Sequence, residues 1–163
     1  MLVISLTLPK NIERRLKEGA ERTGASEEEL IIESLAKTFD ERLDPEARVE
    51  MHLKLSEKFL KEAEESLRKG DLTQASEKAW GAASQIVKAF AAKEGRELRS
   101  HGELHQQVVK IDREARGEEI RLLWQSAGML HQNFYENWLP REMVEANIED
   151  VKKFVDKMKR LLK

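Results

Sequence analysis

Leu2, Ile4, Leu6 and Leu8 alternate with Val3, Ser5 and Thr7, the two-residue period of a short strand with one apolar face. Pro9 ends that run and opens a helix over about residues 10–23, with Ile12, Leu16 and Ala20 on its buried side and Gly24 as its stop. Ser26 followed by Glu29 has the spacing of a capping box. It predicts a second helix to about Leu43, burying Leu30, Ile31, Leu35, Ala36 and Phe39. Asp44-Pro45 then marks the clearest boundary of the chain, an N-cap residue followed by proline at the first helical position.

Beyond it the period is helical throughout. Val49, Leu53, Phe59, Leu60, Ala63 and Leu67 mark a helix that Gly70 ends. Asp71 caps a second, with Leu72, Ala75, Ala79, Ala82, Ala83, Ile86 and Phe90 as its stripe and Gly95 as its stop. A shorter helix after Ser100 holds Leu104, Val108 and Ile111, and Gly117 breaks it. The next, residues 118–137, buries Ile120, Leu123, Ala127, Leu130 and Phe134. Leu139-Pro140 starts the last, with Val144, Ile148, Val151, Phe154, Val155, Met158 and Leu162. The predicted fold is therefore mainly all-α, a strand-helix-helix module over residues 1–43 followed by a bundle of about five helices over residues 44–163. No internal repeat or low-complexity tract interrupts it.

Composition supports this reading. Of 163 residues, 40% are hydrophobic, 37% charged and only three are proline, a mix that favours soluble amphipathic helices. No run approaches the roughly 20 apolar residues of a membrane span, and no secretory leader is visible. Cysteine is absent, so disulfides, thiol catalysis and thiolate metal sites are excluded, and a cytoplasmic location is expected. The formal net charge of −2 makes the chain no general attractant for nucleic acid. Residues 1–43 carry 7 Lys/Arg against 9 Asp/Glu, and the remainder carries 22 of each. Any nucleic-acid contact must come from a local patch.

The N-terminal module, with its strand, Gly24, Ser26, Glu29 and Leu30, resembles the ribbon-helix-helix fold. A lone strand with one apolar face is satisfied by pairing with a copy of itself, so the resemblance implies a homodimer. It also implies DNA contact, with outward strand residues in the major groove and a phosphate at the second helix's N-terminus. The DNA-binding residues carried over are Ser5 and Thr7, with Arg14 and Arg15 on the first helix supplying charge. Val3 is the remaining outward position. Arg, Lys, Asn and Gln are all absent from the strand, so it has no bidentate base reader. Glu27, Glu28 and Glu29 place negative charge where a phosphate would dock.

From Asp71 onward, Trp80-Gly81-Ala82-Ala83, Ser100-His101 and Leu130-His131 with Asn133, Phe134 and Tyr135 follow in an order that resembles the archaeal PaREP-type family. Its members are helical proteins similar in shape to HEPN domains, the nucleotide-binding domains of higher eukaryotes and prokaryotes. The resemblance covers about residues 45–163 and implies a helical bundle and dimerisation. It implies little about chemistry.

The most unusual stretch is Ala127 to Trp138. Trp124, Gly128, His131 and Tyr135 are spaced by four, three and four residues, so they share one helix face. Glycine inside a helix costs about 1 kcal/mol relative to alanine, so either a close helix or a ligand should fill the space at Gly128. Gly81 with Ala79, Ala82 and Ala83 gives a second small-residue face, and the two helices are expected to be neighbours. A groove between them would be rimmed by Trp80, Trp124, His131 and Tyr135, with Asn133 as a further ligand contact. Such aromatic groups can stack on a base.

Arg96 and His101 have the Arg-x4-His spacing of HEPN ribonucleases. There the histidine acts as acid or base and the arginine stabilises the phosphate, without a metal. Their place before a helix differs from that pattern, and a helix-start role for His101 is the plainer reading. His101 and His105 are spaced for chelation, but the run lacks the zinc-protease glutamate. His52 is expected to be exposed. The chain is therefore read as a dimeric, non-catalytic protein that binds a nucleic acid, a nucleotide or a protein partner in a regulatory or toxin–antitoxin-like setting. A metal-independent ribonuclease and a structural dimerisation scaffold are the rivals. No cofactor, metal or membrane partner is expected; DNA, RNA and a second copy of the chain are.

Overall fold

The structure is a computed structural model that describes residues 2–163, and every regular element among them is an α-helix. In chain order these are α1 (Lys10–Thr23), α2 (Glu27–Thr38), α3 (Pro45–Arg68), α4 (Leu72–Lys93), α5 (His101–Glu114), α6 (Ile120–Glu136) and α7 (Arg141–Leu162). Two compact units result. One holds the chain up to Arg42 together with Arg99–His101; the other holds Leu43–Leu98 and Gly102–Lys163.

The first unit corrects the strand-helix-helix expectation. Residues 2–8 take no regular structure. Alternating apolar residues define a face, but a strand exists only through hydrogen bonds to a neighbour, and no described residue offers it an edge. The ribbon of the ribbon-helix-helix resemblance is therefore missing, and Leu2, Val3, Ile4 and Leu6 lie exposed. The two helices that follow pack on each other. The Ser26–Glu29 capping box is complete, and Gly24 closes α1 with φ +69° while its N–H reaches the Ala20 carbonyl. Two short helices enclose little, however. α1 buries no residue and α2 buries only Glu29, so Ile12, Leu35 and Phe39, expected inside, are exposed. α2 also stops short of Leu43, ending at Thr38 before a turn in which Asp40 has φ +53°.

In the second unit α4 lies against α3, α6 and α7. Local signals set the ends: Asp44 accepts from the Ala47 N–H ahead of Pro45, and Asp71 accepts from the Gln74 N–H. The apolar positions of α7 are buried as a stripe, and with Ile86, Val87, Leu104, Ile120 and Leu130 they form the core. Lys93 closes one end by donating to the Leu162 carbonyl at 2.7 Å.

Two packing details differ from expectation. His52 is buried rather than exposed, its Nδ1 2.7 Å from Gln85 Oε1, while Ser56 Oγ donates to the Ala82 carbonyl. A polar side chain is retained inside a helix contact when its hydrogen bond is made there. The two small-residue faces also do not meet through their glycines, although α4 and α6 are neighbours. A Cβ on Gly81 would lie 3.1 Å from the Phe59 ring, so that glycine serves the α3–α4 contact. A Cβ on Gly128 would meet nothing within 4 Å.

Candidate functional site: an aromatic ladder beside an open notch

α6 turns Trp124, Gly128, His131 and Tyr135 to one side, as their spacing requires. Trp80 from α4 enters between them. Its ring is stacked on His131, centroids 4.5 Å apart and planes at 24°, and tilted against Trp124 at 5.0 Å. Trp124 continues to Phe154 of α7 at 5.6 Å and meets the edge of His105 at 5.8 Å. At the other end Tyr135 sets its ring edge-on to His131 at 5.4 Å and to Phe134 at 4.9 Å. Such offset and edge-on pairs each contribute about 0.5–1.5 kcal/mol beyond area burial.

The ladder is not uniformly accessible. Trp80 and Trp124 are 8% and 5% exposed, His131 is half-buried, and Tyr135 is 52% exposed. The two tryptophans expected on the rim therefore form a floor, and the rings that face solvent are His131 and Tyr135. Gly128 lies between the Trp124 and His131 turns as a notch in this surface.

Asn133, expected among the ligand contacts, turns into the core instead. It is fully buried; its Nδ2 donates to Ser76 Oγ at 2.9 Å, and its Oδ1 accepts from the backbone N–H groups of Trp138 and Leu139 at 3.0 and 2.8 Å. Those bonds lock the end of α6, where Asn137 takes the left-handed conformation with φ +50°. Trp138 is thereby held on the surface, 60% exposed.

Arg96 lies between α4 and α5. Its guanidinium donates to Glu94 at 2.8 Å and to the Gln107 side chain. Glu94 also receives Lys110 Nζ at 2.8 Å. The hydrogen bonds from Lys110 and then Arg96 hold the Glu94 carboxyl below the usual carboxylate range. The arginine expected to stabilise a phosphate is thus engaged with a carboxylate. His101 is the first residue of α5 and falls in the other compact unit.

Among the described residues, no group of three His, Asp or Glu side chains is placed to hold a metal ion. His105 Nδ1 is taken by the Trp124 indole N–H, at 2.9 Å. Of the residues expected on DNA, Ser5 and Thr7 are exposed in a segment that forms no strand, so there is no ribbon to enter a groove. Arg14 lies 3.9 Å from Glu18, and Arg15 is exposed on α1. No helix among the described residues is long and apolar enough to cross a membrane.

His105 is the residue that sequence reasoning undervalued. Its spacing from His101 suggested only chelation, whereas its partner is an indole 19 positions away, a relation that local spacing does not carry. The structural role of Asn133 did have a signal, an asparagine four residues before a helix terminates ahead of Leu139-Pro140.

No curated protein matches the chain. A crystal structure of a protein from Sulfolobus solfataricus is similar to it, at 31% identity and a TM-score of 0.59, covering 67% of this chain and 97% of that one. The profile of the archaeal PaREP1/PaREP8 family matches residues 51–155, a span that includes α4, α5, α6 and the whole aromatic ladder. On that match the chain belongs to the archaeal PaREP1/PaREP8 family.

Proposed function

We propose that this protein is a binding module whose ligand presents a flat aromatic group, a nucleobase above all, to the α6 strip. Gly128 carries the reading. A glycine in a helix interior costs about 1 kcal/mol, and among the described residues nothing beyond its chain neighbours and its own helix backbone comes within 4 Å of its absent Cβ. Packing within the chain therefore does not offset that cost. The notch lies between the Trp124 and His131 turns, whose rings contact Trp80 and Tyr135, so a ring seated there has aromatic surface beside it. Base–aromatic stacking is worth about 1–3 kcal/mol per base.

Two substitutions separate this from a packing role. Gly128→Ala should raise the stability of the free protein by about 0.4–1 kcal/mol, because alanine restricts the unfolded chain and the site has room for it. Gly128→Leu, by filling the notch, should abolish binding of adenosine and AMP in calorimetric titration. If neither compound binds the native protein at millimolar concentration, the reading is wrong.

Self-association through the first unit is a second reading, favoured by a different observation. Leu2, Val3, Ile4, Leu6, Ile12, Leu35 and Phe39 are all exposed there. A second copy brings the same apolar side chains to cover them. Sedimentation should give a dimer at micromolar concentration, and removal of residues 2–8 should shift it towards monomer. A full-length protein that stays monomeric at 100 times that concentration excludes this role.

A further inference from the structure

The outer side of α5 carries a shallow groove lined by His105, Gln106, Val109, Lys110, Arg113 and Glu114. His105, at one end of it, is bonded to Trp124, which stands one turn before Gly128 on α6. The Trp124 indole N–H donates to His105 Nδ1 at 2.9 Å. A neutral imidazole that accepts at Nδ1 carries its proton on Nε2. That second nitrogen has no partner among the described residues, and the side chain is exposed. Helical side chains lean towards the helix N-terminus. The space left open by the missing Cβ of Gly128 therefore lies over the turn that holds Trp124, the indole that His105 covers.

The lining itself carries two cations and one carboxylate. Lys110 is bound to Glu94 at 2.8 Å. Arg113 is exposed and makes no ion pair or hydrogen bond with any described residue. Glu114 is the one carboxylate in the lining. An unpaired guanidinium and an imidazole N–H along one groove match the oxygens of a phosphate. The eight residue steps from His105 to Arg113 span about 12 Å, enough for a sugar and more than one phosphate.

We infer that the ligand whose ring occupies the Gly128 notch bears phosphate, held along α5 by Arg113, with His105 Nε2–H beside it. The ligand is then a nucleotide or a nucleic-acid strand. This inference rests on the base-binding reading of the α6 strip.

Calorimetric titration of the full-length protein with adenosine, AMP, an eight-nucleotide oligoadenylate RNA and inorganic phosphate tests it. The titrations are run on the native protein, Arg113→Gln and Gly128→Leu. AMP should bind on the order of tenfold tighter than adenosine, the scale of one charge-assisted hydrogen bond. Arg113→Gln should erase that preference and leave adenosine affinity unchanged, because Arg113 holds nothing else in the fold. Gly128→Leu should lose both ligands.

Equal affinity for adenosine and AMP in the native protein would overturn the phosphate inference and leave the base reading standing. So would a preference for AMP that survives in Arg113→Gln. Phosphate binding that depends on Arg113, with no nucleoside binding, would overturn the base reading and the joint ligand with it, as would silence with every probe. With the inference upheld, an RNA octamer that binds more tightly than AMP, with an affinity that falls steeply with salt, identifies a strand. Similar affinities identify the mononucleotide.

Discussion

Asn133→Ala should lower the unfolding free energy by about 3 kcal/mol, because a buried polar group stranded without its partner costs about 1–3 kcal/mol. Asn133 makes three hydrogen bonds from a fully buried position: one to Ser76 Oγ and two from the Trp138 and Leu139 backbone. Alanine leaves two N–H groups without an acceptor at the end of α6 and a cavity between α4 and α6. Ser76→Ala provides the calibration. It removes only the Asn133–Ser76 bond and the Ser76 bond to the Leu72 carbonyl, and should cost about 1–2 kcal/mol. Urea unfolding measures both. A loss for Asn133→Ala no greater than the roughly 0.5 kcal/mol of an ordinary surface change would mean that the loop closes without it.

Trp80→Ala should cost about 3–5 kcal/mol, the range for deleting a buried aromatic side chain. Trp80 supports both Trp124 and His131, so its loss opens the floor of the ladder and frees the His131 ring on one face. Trp80→Phe should retain most of the stability and part of the stack. The near-ultraviolet circular dichroism of the alanine variant should change more than removal of one indole accounts for, because the Trp124 ring loses its neighbour. The prediction fails if the alanine variant melts within a degree or two of the native protein.

What could be read before folding was whatever depends on near neighbours along the chain. The Ser26–Glu29 box, the Asp44-Pro45 start and the Asp71 cap are each settled within four residues. The α7 stripe is settled by the helical period alone. The residues that were misread depend on something distant. Residues 2–8 have the pattern of a strand, but pairing needs a second edge that the pattern does not contain. His52 looks like a surface residue until Gln85, 33 positions away, comes into hydrogen-bonding range.

The candidate site divides along the same line. Trp124, Gly128, His131 and Tyr135 share a face because helix geometry puts them there. How deep each lies depends on Trp80, which closes over Trp124 and leaves Tyr135 outside. Gly128 was legible as an anomaly. That its open side belongs to solvent, while Gly81 is the one pressed against Phe59, follows only from how α3, α4 and α6 are placed.

From Ala82 to Ala89, eight successive residues of α4 are buried, so this stretch has no outward side. In α7, where buried residues recur as a stripe, substitutions can accumulate on the wet face without touching the interior. In this stretch of α4 every position is an interior position, and interiors packed to crystal density tolerate little change in volume. That stretch is therefore where substitutions should be most confined, to residues of nearly equal size. It acts as the fixed axle of the bundle, around which the outer helices are free to diverge.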